Sequence, residues 1–238
     1  MTRPTAVVTG AARGIGRAIS SRLVQDGYHA LMVDLDPAVV ETAADIGSGD
    51  ATTGLVADLF TEQGRESVAD AVENRDGEVA ALVNNAGIIR DVRLVKMTKE
   101  DFTSVIGVNL GASYLLTRRL IPHLGEGSAV VSLSSRAYLG SFGQFNYGMS
   151  KGGLVGMTRA FARELAPKVR CNAVAPGLTE TAMTRSMPPE VKSMLVESTP
   201  LQRAAQPEEI ADLIAFLCSD KSSFITGQVI VIEGGRSL

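Results

Sequence analysis

The sequence of 238 residues has few of the side chains that build metal sites or disulfide frameworks. It contains two cysteines, Cys171 and Cys218, and two histidines, His29 and His123, and none of them stands at the spacing of a zinc motif. We therefore expect no metal. Both cysteines fall in apolar segments, which favours buried free thiols and a reducing, cytoplasmic location.

Other absences exclude whole classes of function. The formal net charge is −3 and no cluster of lysine and arginine stands out, so nucleic acid is not an expected partner. No apolar run approaches the roughly 20 residues of a membrane span. A strand-like pattern begins within a few residues of Met1, so we expect no secretion signal. Repeats, low-complexity stretches and linkers are also lacking, and this length suits one large domain.

Short apolar runs alternate with longer amphipathic stretches along the whole chain. The runs predict strands at 5–10, 29–36, 54–59, 79–87, 127–135, 168–177 and 227–235. Helical periodicity predicts helices over 16–27, 62–74, 99–124, 146–166 and 207–219. Strands that are apolar on both faces indicate an α/β fold, a single-domain, Rossmann-type, doubly wound parallel sheet with helices on both faces. The stretch 178–206 breaks the rhythm and is predicted to be a mobile substrate lid.

A glycine-rich stretch, "VVTGAARGIG", joins the first predicted strand to the first predicted helix. Gly10, Gly14 and Gly16 allow a tight turn and the close approach of a ligand. The helix that follows offers free N–H groups, which suit a pyrophosphate. A glycine-rich turn without a ligand is the alternative, but the position between strand and helix favours a dinucleotide site.

A second stretch, "YGMSK" at 147–151, places Tyr147 four residues before Lys151, on one face of a predicted helix. A tyrosine is ordinarily protonated at neutral pH. An ammonium group beside it should stabilise the phenolate and lower its pKa, which suits a proton donor and acceptor. Because this spacing also occurs by chance on many helices, the pair needs further support.

Four motifs in order give that support: T-G-x-x-x-G-I-G, "NNAG" at 84–87, "YGMSK" and "PG" at 176–177. Together they resemble the short-chain dehydrogenase/reductase family over essentially the whole chain, and most of all its bacterial 3-oxoacyl-thioester (acyl-carrier-protein) reductases. The resemblance implies an oxidoreductase that interconverts a secondary alcohol and a ketone, either a 3-oxoacyl thioester or a small apolar ketone. It also implies a nicotinamide cofactor and a homotetramer.

The resemblance implies a catalytic set of four residues, which are Asn109, Ser134, Tyr147 and Lys151. Ser134 stands thirteen residues before Tyr147, which is the spacing of the catalytic serine in the family, so we choose it over Ser135. Neighbours on a strand point to opposite faces, so only one of the two should reach the site. Asn109 is expected to bind a water that links the lysine to solvent, with a local helix hydrogen bond as its alternative.

The resemblance also implies a set of cofactor contacts. They are Gly10, Arg13, Gly14, Ile15, Gly16, Asp34, Asp58, Leu59, Asn85, Ala86, Gly87, Tyr147, Lys151, Pro176, Gly177, Thr179 and Thr181. Turn formation explains Asn85 as well, and capping of a following turn explains Thr179 and Thr181.

The choice of cofactor depends on the end of the second strand, "VDLD". Asp34 stands where an acid bonds the adenosine ribose hydroxyls and would repel a 2′-phosphate. Arg13 favours that phosphate instead. Asp34 and Asp36 together carry more negative charge than the one arginine offsets, which disfavours the 2′-phosphate. We therefore predict NAD rather than NADP. An NADPH-dependent 3-oxoacyl-acyl-carrier-protein reductase of fatty-acid synthesis is the alternative.

Tyr138, Phe142 and Met183 are predicted to line the substrate pocket, although core packing explains such residues equally well. A non-catalytic cofactor sensor is disfavoured because Tyr147, Lys151 and Ser134 are present. A sugar-nucleotide epimerase or dehydratase is disfavoured because those chains are generally longer. Gly148, Gly152 and Gly156 form a stripe on the catalytic helix that predicts the close approach of another surface.

Overall fold

The structure, a computed structural model, describes residues 3–47, 49–75 and 78–238, apart from the side chain of Met183. Seven parallel strands form one sheet in the order β3-β2-β1-β4-β5-β6-β7. Their bounds are β1 (Thr5–Thr9), β2 (His29–Asp34), β3 (Thr52–Val56), β4 (Val79–Asn84), β5 (Leu124–Leu133), β6 (Val169–Pro176) and β7 (Val229–Ile232). The predicted doubly wound sheet is confirmed, and each predicted strand overlaps an observed one.

Helices cover both faces of the sheet. Their bounds are α1 (Gly14–Gln25), α2 (Ala38–Ile46), α3 (Glu62–Glu73), α4 (Lys99–Ile106), α5 (Ser113–Leu120), α6 (Phe145–Glu164), α7 (Ala182–Arg185), α8 (Pro189–Glu197) and α9 (Pro207–Cys218). Within the described residues, no helix is long and apolar enough to cross a membrane.

Two buried clusters form the core, one on each face of the sheet. Ile19 of α1 and Ile214 of α9 pack with Met32 of β2 on one side. Leu116 of α5 packs with Leu31 of the same strand on the other side. Adjacent strand residues point to opposite faces, so a strand covered on both faces is apolar at most of its positions. This explains why the strands appear in the sequence as continuous apolar runs.

The structure differs from the sequence prediction in three helical regions. The predicted helix 99–124 contains α4 and α5 with a π-helical turn, Gly107–Ala112, between them. Helix α2, which follows Pro37, was not predicted. The predicted lid, 178–206, contains the short helices α7 and α8, and its ends are joined by a bridge between Thr179 and Ala205.

Thr9, at the end of β1, holds the carboxyl ends of the two central strands together. Its Oγ1 donates to the Val83 carbonyl at 3.2 Å and accepts from the Asn85 and Ala86 amides, each at 3.0 Å. The Asn85 side-chain amide returns to β1 and donates to the carbonyls of Thr9 at 2.8 Å and Gly10 at 3.0 Å. The strand order changes direction between β1 and β4, and such a switch point is where doubly wound sheets bind ligands.

We predict that Thr9→Val destabilises the protein by about 1–3 kcal/mol, because it keeps the shape but leaves a buried backbone N–H without its acceptor. Thr5→Val is the matched control, since Thr5 is equally buried in β1 and its hydroxyl makes no hydrogen bond within the described residues. Urea denaturation should show a clearly smaller loss for Thr5→Val. Equal losses would contradict the proposed importance of this junction.

Candidate active site

A cleft of about 980 Å³ opens at the carboxyl ends of the strands. It brings together most of the side chains predicted for the site. Those that line it are Gly10, Arg13, Gly14, Ile15, Gly16, Asp34, Asp58, Leu59, Asn85, Ala86, Gly87, Ser134, Phe142, Tyr147, Lys151, Pro176, Gly177, Thr179 and Thr181. Asn109 and Tyr138 do not line it, and the side chain of Met183 lies outside the described residues.

The glycine loop between β1 and α1 has the geometry of an anion cradle. Gly10 and Gly14 have φ of +66° and +57°, in the left-handed region that favours glycine. A Cβ at Gly16 would collide with the Gly10 carbonyl oxygen. No side chain caps the first turn of α1, so its backbone N–H groups are free to meet a pyrophosphate in the cleft. The loop therefore fits the diphosphate of a dinucleotide.

Asp34 ends β2 beside this loop. Its Oδ2 accepts from the Ala12 amide at 2.9 Å, and its Oδ1 accepts from the Asp36 amide at 3.0 Å. Each carboxylate oxygen has further accepting capacity, so Asp34 can also receive ribose hydroxyls. Arg13 forms an ion pair with Asp36 rather than with Asp34, and its Nη1 lies 2.9 Å from Asp36 Oδ2.

The remaining predicted cofactor contacts also have local structural partners. Asp58 accepts from the Phe60 amide at 2.9 Å, which forms a turn after β3. Thr181 caps α7 by accepting from the Thr184 amide at 3.4 Å, so the capping alternative describes it correctly. The same residue faces the glycine loop, since its Cγ2 would lie 3.6 Å from a Cβ at Gly14. Thr179 donates to the Gly177 carbonyl at 3.3 Å.

Tyr147 and Lys151 lie one turn apart on α6, with the Lys151 Nζ 5.6 Å from the centre of the Tyr147 ring. Burial raises the pKa of Tyr147, and a hydrogen bond from Ser135 opposes this only in part. Burial also lowers the pKa of Lys151 to about 8. The Lys151 amine donates to the Leu133 carbonyl at 2.6 Å. The predicted lowering of the tyrosine pKa is therefore wrong for the protein alone, because burial and the negative charge of Asp91 raise the pKa more than the Ser135 hydrogen bond lowers it.

The two serines at the end of β5 have different partners. Ser134 is buried and its Oγ donates to the Lys151 carbonyl at 2.8 Å, so it joins β5 to α6. Ser135 is the serine whose hydrogen bond affects the pKa of Tyr147. The structure therefore places Ser135, and not the predicted Ser134, beside Tyr147. Alternation along the strand correctly indicated that only one of the two serines faces Tyr147. A spacing of thirteen residues does not determine which one, because the intervening loop can differ in length by one residue.

Asn109 lies in the π-helical turn and is fully buried. Its Nδ2 donates to the Ile88 carbonyl at 3.1 Å and to Ser150 Oγ at 3.0 Å, and its Oδ1 accepts from the Ile88 amide at 2.8 Å. Instead of reaching the cleft, the amide ties the loop after β4 to α6. A Cβ at Gly87 would lie 3.1 Å from Asn109 Oδ1 and 3.5 Å from Lys151 Nζ, so the glycine allows both to approach.

The substrate end of the cleft differs most from the sequence prediction. Phe142 is almost fully exposed at the cleft, with the Arg93 guanidinium 5.7 Å from its ring centre. Tyr138 is half-buried in the short turn Arg136–Leu139 and does not reach the cleft. Three charged residues that were not predicted do line it, namely Asp91, Arg136 and Arg236. Only a fold that returns the C-terminus to the cleft could reveal the last of these.

No group of three or more metal-ligating side chains occurs within residues 3–47, 49–75 and 78–238. The polar groups that meet at the cleft are instead a hydroxyl, a phenol and an amine, from Ser135, Tyr147 and Lys151. Such a set can hold an oxygen atom and exchange a proton with it.

Comparisons with known proteins match almost the whole chain. The family model described as enoyl-(acyl carrier protein) reductase matches residues 10–237. The chain is 41% identical over 238 residues to 3-oxoacyl-acyl-carrier-protein reductase FabG of Thermotoga maritima, with 96% of each chain covered. It is 38% identical over 245 residues to (3R)-3-hydroxyacyl-CoA dehydrogenase of Mus musculus, with 97% of this chain and 95% of that one covered.

A crystal structure described as short-chain dehydrogenase/reductase SDR: glucose/ribitol dehydrogenase, from Brucella melitensis, superposes with a TM-score of 0.96. Its sequence identity is 38%, and the match covers 99% of this chain and 97% of that one. The fold is therefore shared with an experimentally determined relative.

The low pKa of Lys151 predicts a pH-dependent stability. Between about pH 8 and the ordinary lysine value of 10.5, the unfolded chain binds more protons than the folded one, so the free energy of unfolding rises with pH. Wild type should gain about 1–2 kcal/mol relative to Lys151→Met between pH 7 and pH 9.5. Urea denaturation of both proteins at the two pH values measures this difference, and parallel pH profiles would contradict it.

Proposed function

Since this chain belongs to the short-chain dehydrogenase/reductase family and is an oxidoreductase of hydroxyl and keto groups, we propose that it interconverts a secondary alcohol and a ketone with NAD(H). The observation that carries the proposal is the position of Ser135, Tyr147 and Lys151 in one cleft with the glycine loop and Asp34. The ketone is a 3-oxoacyl thioester, as the names of two relatives suggest, or a small apolar ketone.

The chain's own groups have separable tasks in this reaction. The nicotinamide, when bound, supplies or takes the hydride. The Ser135 hydroxyl donates to the substrate oxygen and orients it. Tyr147 stays protonated at neutral pH because its pKa is raised, so it donates its proton to that oxygen during reduction. The Lys151 amine lies 5.6 Å from the centre of the phenol ring. When this amine is protonated, its positive charge stabilises the phenolate that remains on Tyr147.

The experiment that tests this function is an NADH oxidation assay with a panel of ketones and acetoacetyl thioester. We expect Tyr147→Phe to lower turnover of the best substrate by about 10²–10⁴-fold, the usual effect of losing a general acid. The ring is retained, so NADH binding measured by fluorescence should be unchanged. Comparable turnover in the two proteins would exclude Tyr147 as the proton donor.

The two serines offer a matched pair of variants. We expect Ser135→Ala to lower kcat/KM by about 10²-fold, the scale of losing one donor to the reacting oxygen. Ser134→Ala should lower kcat/KM much less than Ser135→Ala does, because its hydroxyl bonds a backbone carbonyl that supports the site rather than the tyrosine. The reverse order of effects would restore Ser134 as the catalytic serine.

The preference for NAD over NADP is supported by the arrangement around Asp34. Its carboxylate faces the cleft beside the glycine loop, where it would repel a 2′-phosphate. At 4 Å and an effective dielectric constant of about 20, two unit charges interact by roughly 4 kcal/mol. Arg13 offsets little of this while it pairs with Asp36.

We therefore expect wild type to show a kcat/KM with NADH at least about tenfold higher than with NADPH, since tenfold requires only about 1.4 kcal/mol. Asp34→Ala should erode the preference chiefly by improving NADPH. Asp36→Ala is an informative companion, because it releases Arg13 and should also improve NADPH while leaving NADH unchanged. A wild-type preference for NADPH would show that Arg13 governs the site.

Reduction of a 3-oxoacyl group on an acyl carrier protein, with NADPH, is the second candidate function. The names of several relatives favour it, including FabG of Thermotoga maritima and of Aquifex aeolicus. Arg170, at the amino end of β6 and away from the cleft, does not support docking of an acidic carrier. It is buried and donates to the carbonyls of Leu217, Ser219 and Ser222.

We also propose a homotetramer, which the family resemblance implies. Tyr114 of α5 stacks on Phe161 of α6 with ring centres 6.1 Å apart, and Tyr114 and Met149 remain exposed. Of the predicted glycine stripe, only Gly148 has a close neighbour within the described chain, the Ala137 carbonyl. Open space surrounds Gly152 and Gly156, which suits packing against a second copy.

A further inference from the structure

The chain after β7 returns to the cleft through a turn that is held in place by packing. Gly234 and Gly235 have φ of +69° and +87°, which favour glycine. A Cβ at Gly234 would lie 2.6 Å from Thr199 Cγ2, and one at Gly235 would lie 3.1 Å from Pro200 Cγ. The Leu201 amide donates to the Gly234 carbonyl at 3.2 Å. This turn against the segment after α8 fixes the next residue, Arg236, at the wall of the cleft.

Arg236 is partly buried and has no charge partner of its own. Its side chain makes no hydrogen bond or ion pair within the described part of the chain. Burial and the neighbouring positive charge of Arg136 both lower its pKa, and Glu233 opposes them more weakly. A guanidinium stays charged under all ordinary conditions, and an unpaired one that is withdrawn from water is unfavourable. An anion in the cleft would remove this cost.

Arg136 brings a second guanidinium to the same place. It directly follows Ser135 and lines the same cleft. Its Nε donates to Ser237 Oγ at 3.0 Å and lies 3.8 Å from Glu233 Oε2, which leaves its two terminal nitrogens without a hydrogen bond among the described residues. One carboxylate, Glu233, thus serves two arginines, and the group keeps one net positive charge.

The negative side chain at the substrate end of the cleft belongs to a different wall. Asp91 follows β4 and accepts from Gln144 Nε2 at 2.7 Å. Arg136 and Arg236 follow β5 and β7, farther along the sheet. A substrate anion would therefore be drawn to the arginine side. The diphosphate of a dinucleotide has its own cradle at the glycine loop after β1.

We propose that Arg136 and Arg236 form a subsite for a carboxylate of the substrate, which changes the substrate class proposed above from a thioester or apolar ketone to an oxo acid. Paired guanidinium groups bind a planar carboxylate through parallel hydrogen bonds. The subsite rests on the proposed ketone reductase function, since Ser135, which orients the keto oxygen, is adjacent to Arg136. Arg236 fixes which carbonyl compounds enter and takes no part in proton transfer.

The experiment compares three oxo acids with their methyl esters: acetoacetate, 4-oxopentanoate and 5-oxohexanoate. Each pair shares a reacting carbonyl and differs in one charge, and the series sets the carboxylate at three distances. We expect wild type to prefer at least one acid over its ester by tenfold or more in kcat/KM. Arg236→Gln should raise KM for that acid by about tenfold with little change in kcat, and should leave the ester unaffected.

Two further variants separate position from charge. Arg236→Lys keeps the charge and should recover part of the preference for the acid. Lys221→Gln removes one positive charge from an exposed turn outside the cleft and should behave as wild type. Equal use of acid and ester by wild type, or an unchanged preference in Arg236→Gln, overturns the subsite while the reductase function stands.

Binding measurements keep the subsite testable if the assay shows no turnover. Calorimetric titration of the protein–NADH complex with 4-oxopentanoate should give binding in wild type and loss of binding in Arg236→Gln. That result without turnover supports the subsite and contradicts the reductase function. No binding to wild type overturns the subsite. An increase in the Kd of NADH in Arg236→Gln, with the acid preference intact, assigns Arg236 to a cofactor phosphate and also overturns it.

Discussion

The hydrogen bonds between the ends of β1 and β4 are the constraint on which the site depends. The chain leaves these neighbouring strands towards opposite halves of the sheet, so a cleft must open between them. Thr9 and Asn85 close the base of that cleft with side-chain bonds to backbone on both strands. The glycine loop departs from one side of this junction and Gly87 from the other. Their separation, which a dinucleotide must match, is therefore set by buried polar contacts rather than by loops alone.

The second half of the site is held by reciprocal bonds between β5 and α6. Ser134 donates to the Lys151 carbonyl, and the Lys151 amine donates to the Leu133 carbonyl. These two hydrogen bonds hold the end of β5 against α6, so that Ser135, which follows Ser134, lies beside Tyr147. This packing also buries the lysine, which lowers its pKa, and the same environment raises the pKa of the tyrosine. In the protein alone burial thus shifts both groups toward their neutral forms, although Lys151, with a pKa of about 8, still carries its proton at neutral pH, and a bound positive charge nearby would favour the phenolate.

The sequence revealed those features that depend on local pattern. Short apolar runs predicted the strands, because a strand covered on both faces needs apolar residues at most of its positions. The glycine loop was recognisable because positive φ and close approach require glycine. The sequence did not show which of Ser134 and Ser135 faces Tyr147, since this depends on the path of the loop to α6. The role of Asn109 depends on a π-helical turn that propensity does not reveal.

Tertiary contacts decided the remaining differences. The pKa of Tyr147 follows from burial, which spacing along a helix cannot measure. Tyr138 carries the right chemistry for a substrate contact but sits in a turn that keeps it from the cleft. Arg236 had no signal beyond two glycines before it, because its place depends on packing of the C-terminal turn against Thr199 and Pro200.

The most direct test of the account is a crystal structure of the protein with NADH. We expect the adenosine ribose hydroxyls on Asp34, the diphosphate at the first turn of α1, and the nicotinamide end of the cofactor beside Tyr147 and Lys151. The Lys151 amine should leave the Leu133 carbonyl for the nicotinamide ribose, while Ser134 keeps its bond to α6. A dinucleotide bound in the opposite direction, or bound outside the cleft, would contradict the account.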